Sequence, residues 1–465
     1  MHPGYKKPFI EQEGLVELPI LLNRLYLQEN QSWLKDSNQG IFPHERGKMR
    51  ITILSVGTRG DVQPYIALGL GLQQAGHEVR LATHSIFQEF VSSWGLDFAP
   101  LAGNPQEWLQ QQGEQFMLES QKPIRQFTRL FRSIVEPILA DSWQACQGTE
   151  AIIYTPLAVA GYHIAEKLGV PAYSSAPQPR SHTRAFPSPL LPPRGRLGGI
   201  YNWLTYSLVQ QIFWQSLRKP INQWRQETLN LPPIPLTGPY TQNYEQRLPL
   251  LYCYSPTVVP KPPDWLDQFH VSGYWFLDHR ADWQPPADLV KFLAAGSPPV
   301  YIGFGSLMGQ NPEALTKLVL ESLGQAGQRG ILLTGWGGLT NADLPDDVFK
   351  IESVPFDWLF PQLAAVVHHG GAGTTAAALR AGVPSIILPF LAENFFWGQR
   401  VTELGAGPPP ISQKQLTAER LATAIRTATS DEIMKASARS LGEKIRAEDG
   451  VARAVEVFHR YLPSH

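Results

Sequence analysis

Two short segments of this 465-residue chain have the residue types and spacing to act on a substrate. The first, Gly57-Thr58-Arg59-Gly60-Asp61-Val62-Gln63-Pro64, follows an apolar run and opens a segment with apolar positions at Val62, Ile66, Leu68, Leu70 and Leu72. Pro64 in the first turn suits a helix start. Open α/β sheets bind ligands beyond the C-terminal ends of their strands, so Asp61 is placed to serve as a general base toward an acceptor hydroxyl, with Thr58 hydrogen-bonding beside it. The same residues also fit a plain helix cap, since the loop lacks a full Gly-x-Gly-x-x-Gly.

The second segment, His368-His369-Gly370-Gly371-Ala372-Gly373-Thr374-Thr375, runs from a strand-like stretch into a helical one. Glycines let backbone amides approach an anion, and a new helix supplies unpaired N–H groups and the positive end of its dipole. A diphosphate is the natural occupant, with a histidine and the Thr374 hydroxyl as further donors. No Walker-type lysine is present, which argues against an ATPase. A weaker glycine turn, Gly303-Phe304-Gly305-Ser306, could meet the same phosphates.

The elements that must position these segments alternate short apolar runs with longer helical periods, the pattern of parallel sheets covered by helices. Strands are expected at Ile51 to Val56, Glu78 to Thr83, Ala151 to Tyr154 and Ala172 to Ser175. A second series begins at Val300 and continues at Gly330 to Thr334, Val348 to Glu352, Ala364 to His368 and Ser385 to Leu388. The reading is an α/β chain of two Rossmann-like domains. Residues 1–48 form an N-terminal extension, 49–280 the acceptor domain, 281–298 a Pro-rich linker, 299–445 the donor domain, and 446–465 a C-terminal helix that could fold back on the first domain. Between Pro177 and Pro262 the rhythm breaks, and an aromatic-rich stretch with Trp203, Tyr206, Phe213, Trp214 and Trp224 is read as an insertion shaping an acceptor surface. The Phe116 to Phe131 region is a second apolar contributor, and Leu15 to Leu34 could form an amphipathic helix.

Composition narrows the partners. With 39 basic against 40 acidic residues and a formal charge of −1, no net field gathers nucleic acid or anionic lipid. Cys146 and Cys253 have no Cys or His neighbour at metal-ligand spacing, so neither a disulfide framework nor a zinc site is expected. Glu11, Glu13 and Glu17 interrupt any signal-peptide core, and no run approaches the ~18 apolar residues of a spanning helix. The expectation is a cytoplasmic protein, with peripheral membrane contact left open.

Together the motifs resemble the GT-B-fold glycosyltransferases, in the sterol 3-beta-glucosyltransferase-like branch that is also similar to antibiotic aglycone glycosyltransferases. The resemblance runs from about Met49 to Ile411 and rests on the Gly57 to Pro64 loop, Tyr301 to Ser306, Val354-Pro355-Phe356-Asp357-Trp358-Leu359-Phe360-Pro361, and His368 to Thr375. It implies two domains facing across a cleft, with Asp61 as catalytic base and Thr58 beside it. It further implies donor contacts from Gly305 and Ser306, a uracil pocket lined by Val354, Phe356 and Trp358, and diphosphate contacts from His369, Gly371, Ala372, Gly373 and Thr374. Glu393-Asn394 falls where the family commonly carries an acidic residue followed by Gln to bind the sugar hydroxyls, and Phe356 replaces a residue that is often polar.

The implied reaction is inverting transfer of a hexose, glucose by default, from a UDP-sugar to a lipophilic alcohol such as a sterol, hopanoid, carotenoid or polyketide-like aglycone. Trp203, Tyr206 and Phe213 would face that acceptor. No cofactor or metal is expected; the chain has no Asp-x-Asp triplet of the kind that grips Mg²⁺ in the other major transferase fold. A nucleotide-sugar epimerase and a non-catalytic nucleotide-sugar or lipid-binding protein of the same fold are the alternatives.

Overall fold

The computed structural model describes residues 47–105, 107, 123–191, 197–239, 248–304, 312–334 and 344–462. The chain divides into two units, Met1–Gly47 and Lys48–His465, and both sheets belong to the second. Gly305, Ser306, Phe116 and the Leu15 to Leu34 stretch fall outside the described residues.

The first sheet is parallel throughout, in the order β3-β2-β1-β4-β5-β6-β7. Its strands are β1 (Arg50–Leu54), β2 (Glu78–His84), β3 (Asp97–Leu101), β4 (Ala151–Tyr154), β5 (Ala172–Ala176), β6 (Leu250–Tyr252) and β7 (Phe269–Val271). Central strands of such a sheet are covered on both faces, which is why Ile51, Ile53 and Leu54 follow one another without strict alternation and are all buried. Its helices include α1 (Arg59–Gln74), α2 (Pro123–Ala145), α3 (Ala160–Leu168) and α4 (Gly199–Glu227).

The second sheet is also parallel, in the order β10-β9-β8-β11-β12, from β8 (Val300–Gly303), β9 (Gly330–Leu333), β10 (Val348–Ile351), β11 (Ala365–His368) and β12 (Ser385–Ile387). Around it lie α5 (Pro312–Ala326), α6 (Ala372–Ala381), α7 (Ala392–Glu403), α8 (Ala418–Ser430) and α9 (Glu432–Arg446).

The last helix, α10 (Gly450–Arg460), packs on the first sheet's side. Tyr173 on β5 donates its hydroxyl to the Phe458 carbonyl at 2.8 Å and stacks obliquely on that ring at 4.8 Å.

One apolar cluster joins the halves. Tyr254, Val258, Trp265 and Tyr274 from the first side pack with Leu379, Trp397, Val401 and Leu441 from the second. Around it Arg380 forms a two-pronged ion pair with Asp278 and lies over the Phe276 ring, while Arg400 donates twice to the Val258 carbonyl, at 3.1 and 2.7 Å. Burial of this kind stabilises by roughly 25 cal/mol per Å² of apolar surface, so the cluster dominates over the ion pair, whose partners are partly exposed.

Two departures from the sequence reading follow from local chemistry. The passage 281–298 is more than a linker: it carries a helix, Ala287–Ala294, that buries Leu289 completely in the second core. Strand β3 escapes sequence recognition because Asp97-Phe98-Ala99-Pro100-Leu101 contains a proline, which parallel sheets admit at an edge, and β3 is an edge strand.

Candidate active site

Both chemistry-bearing segments lie at C-terminal strand ends, one on β1 and the other on β11. After β1 the backbone turns at Gly57, whose φ of +142° disfavours any side chain. A Cβ there would lie 2.4 Å from Asp61 Oδ2, so the turn and the carboxylate are built around each other. Thr58 donates twice to that same oxygen, from its backbone N–H at 2.8 Å and its hydroxyl at 3.0 Å. Ser55 Oγ donates to the Asp61 carbonyl at 2.6 Å, fixing the first turn of α1 to the strand end. Among the described residues Asp61 Oδ1 carries no hydrogen bond, which leaves one oxygen able to accept a proton. Burial pushes the Asp61 carboxyl above its ordinary value, and the two bonds from Thr58 oppose that rise.

Behind the turn stands a histidine that sequence reasoning passed over. His84, fully buried at the end of β2, accepts from Gly57 N–H through Nε2 at 3.2 Å, and its Nδ1 lies 2.9 Å from the Ala102 carbonyl. The carbonyl requires a proton on Nδ1, so the ring is the neutral tautomer that can accept at Nε2. A histidine ending an apolar strand was the available signal.

Across from this loop, β11 delivers His368 and His369. The buried His368 accepts at Nδ1 from Gly370 N–H at 3.1 Å. The His369 ring lies against Gly371, where a Cβ would stand 2.3 Å from Nε2, so only glycine fits. His369 Nδ1 is buried and has no partner among the described residues. Burial pushes His369 down to about 4, which makes it a neutral hydrogen-bond donor and not a cation near pH 7. Gly371 caps α6, and Thr375 returns its N–H and hydroxyl to the Gly371 carbonyl at 2.9 and 2.8 Å. First-turn N–H groups of a helix have no intrahelical acceptor; those of Ala372, Gly373 and Thr374 stand here, and a Cβ on Gly373 would meet open space. The cradle therefore fits an anion by backbone donors and dipole together.

Glu393, on the first turn of α7, links the two loops electrostatically. Its carboxyl is pushed up to about 7, first by burial and then by the charge on Asp61, against the pull of Arg180. A carboxyl at that poise can donate to, or accept from, a sugar hydroxyl. Asn394 has a different posture. Buried to 1% exposure, its Oδ1 accepts from the Leu391 and Phe390 N–H groups at 2.9 and 3.3 Å, so half of its amide holds the turn before α7.

The expected base pocket is aromatic. Trp358 packs edge-on with Trp283 at 5.4 Å, and Trp283 in turn meets His279, whose Nδ1 lies 2.6 Å from Asp357. Phe356 stacks on Phe360 at 4.3 Å and, with buried Val354, belongs to the second core. Trp283 was not anticipated because it lies in the passage read as a linker.

The acceptor aromatics divide. Trp203 is 44% exposed and lies 4.7 Å from the His182 ring, whereas Tyr206 is 1% exposed and reaches the Phe186 carbonyl. Phe213 packs half-buried against the first core. Of the three, Trp203 alone presents large exposed surface, a separation that helix α4 imposes by facing one side to the core.

Comparison with known proteins returns a consistent picture. Residues 51–187 match the glycosyltransferase family 28 N-terminal domain, and 319–457 match the erythromycin biosynthesis protein CIII-like C-terminal domain. The chain is 43% identical over 426 residues to a sterol 3-beta-glucosyltransferase of Emericella nidulans, covering 89% of this chain. It is 42% identical over 431 residues to one of Yarrowia lipolytica, covering 90%. The chain spans only 30% and 29% of those two relatives' lengths. Among solved structures, the glycotransferase of kitacinnamycin aligns with a TM-score of 0.67 at 22% identity, over 90% of this chain and 100% of that one. A Streptomyces sp. SF2575 glycosyltransferase complexed with thymidine diphosphate aligns with a TM-score of 0.60 at 19% identity, over 89% and 99%.

Proposed function

We propose that this chain, which belongs to the sterol 3-beta-glucosyltransferase-like branch of the GT-B glycosyltransferases, transfers a hexose from a UDP-sugar to the hydroxyl of a sterol or similar lipophilic alcohol. Glucose is the first choice of sugar. The observation that carries the reading is the posture of Asp61: one oxygen held twice by Thr58, the other unbonded among the described residues, with Glu393 from the opposite half within its field.

The reaction is a direct displacement at the anomeric carbon. The acceptor oxygen attacks from the face opposite the diphosphate, its proton passes to Asp61 Oδ1, and the electron pair of the breaking C1–O bond leaves on UDP. The configuration at the anomeric carbon inverts. General-base assistance of this kind contributes ~10²–10⁴-fold. His369 and the first-turn amides of α6 stabilise charge as it develops on the leaving diphosphate, without needing to reorganise during the reaction. Glu393 binds sugar hydroxyls, and the wall around Trp358 takes the base. On this account the chemistry uses protein donors alone and requires no metal.

The test is a donor panel of UDP-glucose, UDP-galactose, UDP-N-acetylglucosamine and TDP-glucose with sterol, hopanoid and carotenoid alcohols, in the presence of EDTA, read by mass spectrometry. A hexose mass gain on a sterol from UDP-glucose is expected. Release of free or epimerised sugar with no glycoside formed points instead to the epimerase reading.

A further inference from the structure

Helix α4 buries one side and exposes large apolar side chains on the other. Tyr206, Trp214, Leu217 and Ile221 pack inward. Ile200, Trp203, Leu204 and Leu208 recur at helical spacing on the outer side, 74%, 44%, 52% and 53% exposed, and Leu197 just before the helix is 59% exposed. No other element among the described residues exposes so many large apolar side chains together.

Charge marks what covers this face. Between Glu166 and Glu227 the chain contains eight Lys and Arg residues and no Asp or Glu, in a protein whose total charge is −1. Among the described cations of this stretch, Arg184 is exposed and its side chain lies against Gly199 at the start of α4, while Lys219 is exposed about three turns past the apolar group. Arg225 is excluded from the count that matters, since it is buried against Glu166. Asp264, from outside this stretch, accepts from the Thr183 hydroxyl and the Arg184 N–H, so the basic excess is local to α4 and the segment before it. An apolar helical stripe flanked by such an excess is the pattern that lies in the interface of an anionic bilayer, with the apolar side chains in the acyl boundary and the cations at the headgroups.

We propose that the Leu197–Leu208 face of α4 docks the chain on an anionic lipid surface. Trp203 is held for this from behind, because the His182 ring supports it and His182 Nε2 lies 2.9 Å from Ser207 Oγ on the next turn. The docked face adjoins the cleft through the same loop: His182 stands two residues beyond Arg180, whose charge reaches Glu393. Docking would bring the cleft to the phase in which a lipophilic alcohol is dissolved.

The test is sedimentation of the full chain with vesicles of phosphatidylcholine alone and with added phosphatidylserine, without donor or acceptor, so that it stands apart from the transfer assay. Binding to the phosphatidylserine vesicles that weakens with salt is expected. The double variant Leu204→Ser, Leu208→Ser should lose about tenfold in partition for each leucine, and Arg184→Gln, Lys219→Gln should lose the preference for phosphatidylserine. Both pairs are exposed, and each variant should keep the parental unfolding temperature and its rate on a detergent-dissolved acceptor. Vesicle binding unchanged by the leucine pair overturns the proposal. So does a parental dimer, seen by light scattering, that the leucine pair dissociates, since a second copy would then cover the face.

Discussion

Asp61 and Gly371 are the residues on which the site's geometry turns, and each supports a distinct prediction. If Asp61 is the base, as proposed, it must be ionised to take a proton, so turnover should fall on the acid side as the carboxylate protonates. Burial raises its pKa and the two Thr58 bonds hold it down. Thr58→Val removes the hydroxyl bond and keeps the backbone one, so the acid limb of the kcat/KM profile should move to higher pH. A limb that stays in place would detach Thr58 from the base. Gly371→Ala places a methyl 2.3 Å from His369 Nε2. The ring must move, and with each hydrogen bond to a charged group contributing about 1.5–3 kcal/mol, UDP affinity measured by calorimetry should fall at least tenfold. At this scale the sequence makes the local geometry legible: the turns at Gly57 and Gly371 can be read directly because a side chain at either position would meet Asp61 or His369. It was a poor guide to Asn394, whose amide serves the turn before α7, and to His84, which acts on Gly57 from 27 positions away.

Elements show the limits of reading by composition. Strands such as Ala151–Tyr154 announce themselves as short apolar runs, but β3 carries a proline within it, and β6 is only three residues long with a proline just before it. The passage 281–298 is rich in proline and polar residues, yet its helix anchors Leu289 in the second core and its Trp283 abuts Trp358. Leu289→Ala should therefore lower the unfolding free energy by about 2–5 kcal/mol in chemical denaturation. Val290→Ala, at a position 42% exposed on the same helix, should change it by less than about 1 kcal/mol. Equal small losses from both would return this passage to the role of a tether. The division of α4 into a buried and an exposed side was likewise invisible in a tally of aromatics, because Tyr206 and Trp203 differ only in which way the helix turns them.

In the whole molecule, burial sets a response to acid. His163 and His368 are each pushed down to about 3, mainly by burial, with Arg225 adding to the first and His369 to the second. Unfolded histidine titrates near 6.5, so in this interval the unfolded chain binds protons that the folded chain refuses. Stability is fully present above that value and declines as pH falls toward the folded values, by about 1.4 kcal/mol per pH unit for each histidine. His163→Gln should flatten the slope between pH 6 and 5, measured by urea denaturation, by about one histidine's share; an unaltered slope would place the proton uptake elsewhere. The two halves meet through a shared apolar cluster together with the Arg380–Asp278 ion pair and the bonds from Arg400 to Val258, and across them Asp61 and Glu393 lie within each other's field. The measurement that tests this arrangement most directly compares Asp61→Asn with the parent, using UDP-glucose and a sterol for turnover and calorimetry for UDP. The account predicts kcat reduced by ~10²–10⁴-fold with UDP affinity nearly unchanged, whereas transfer at the parental rate would contradict it.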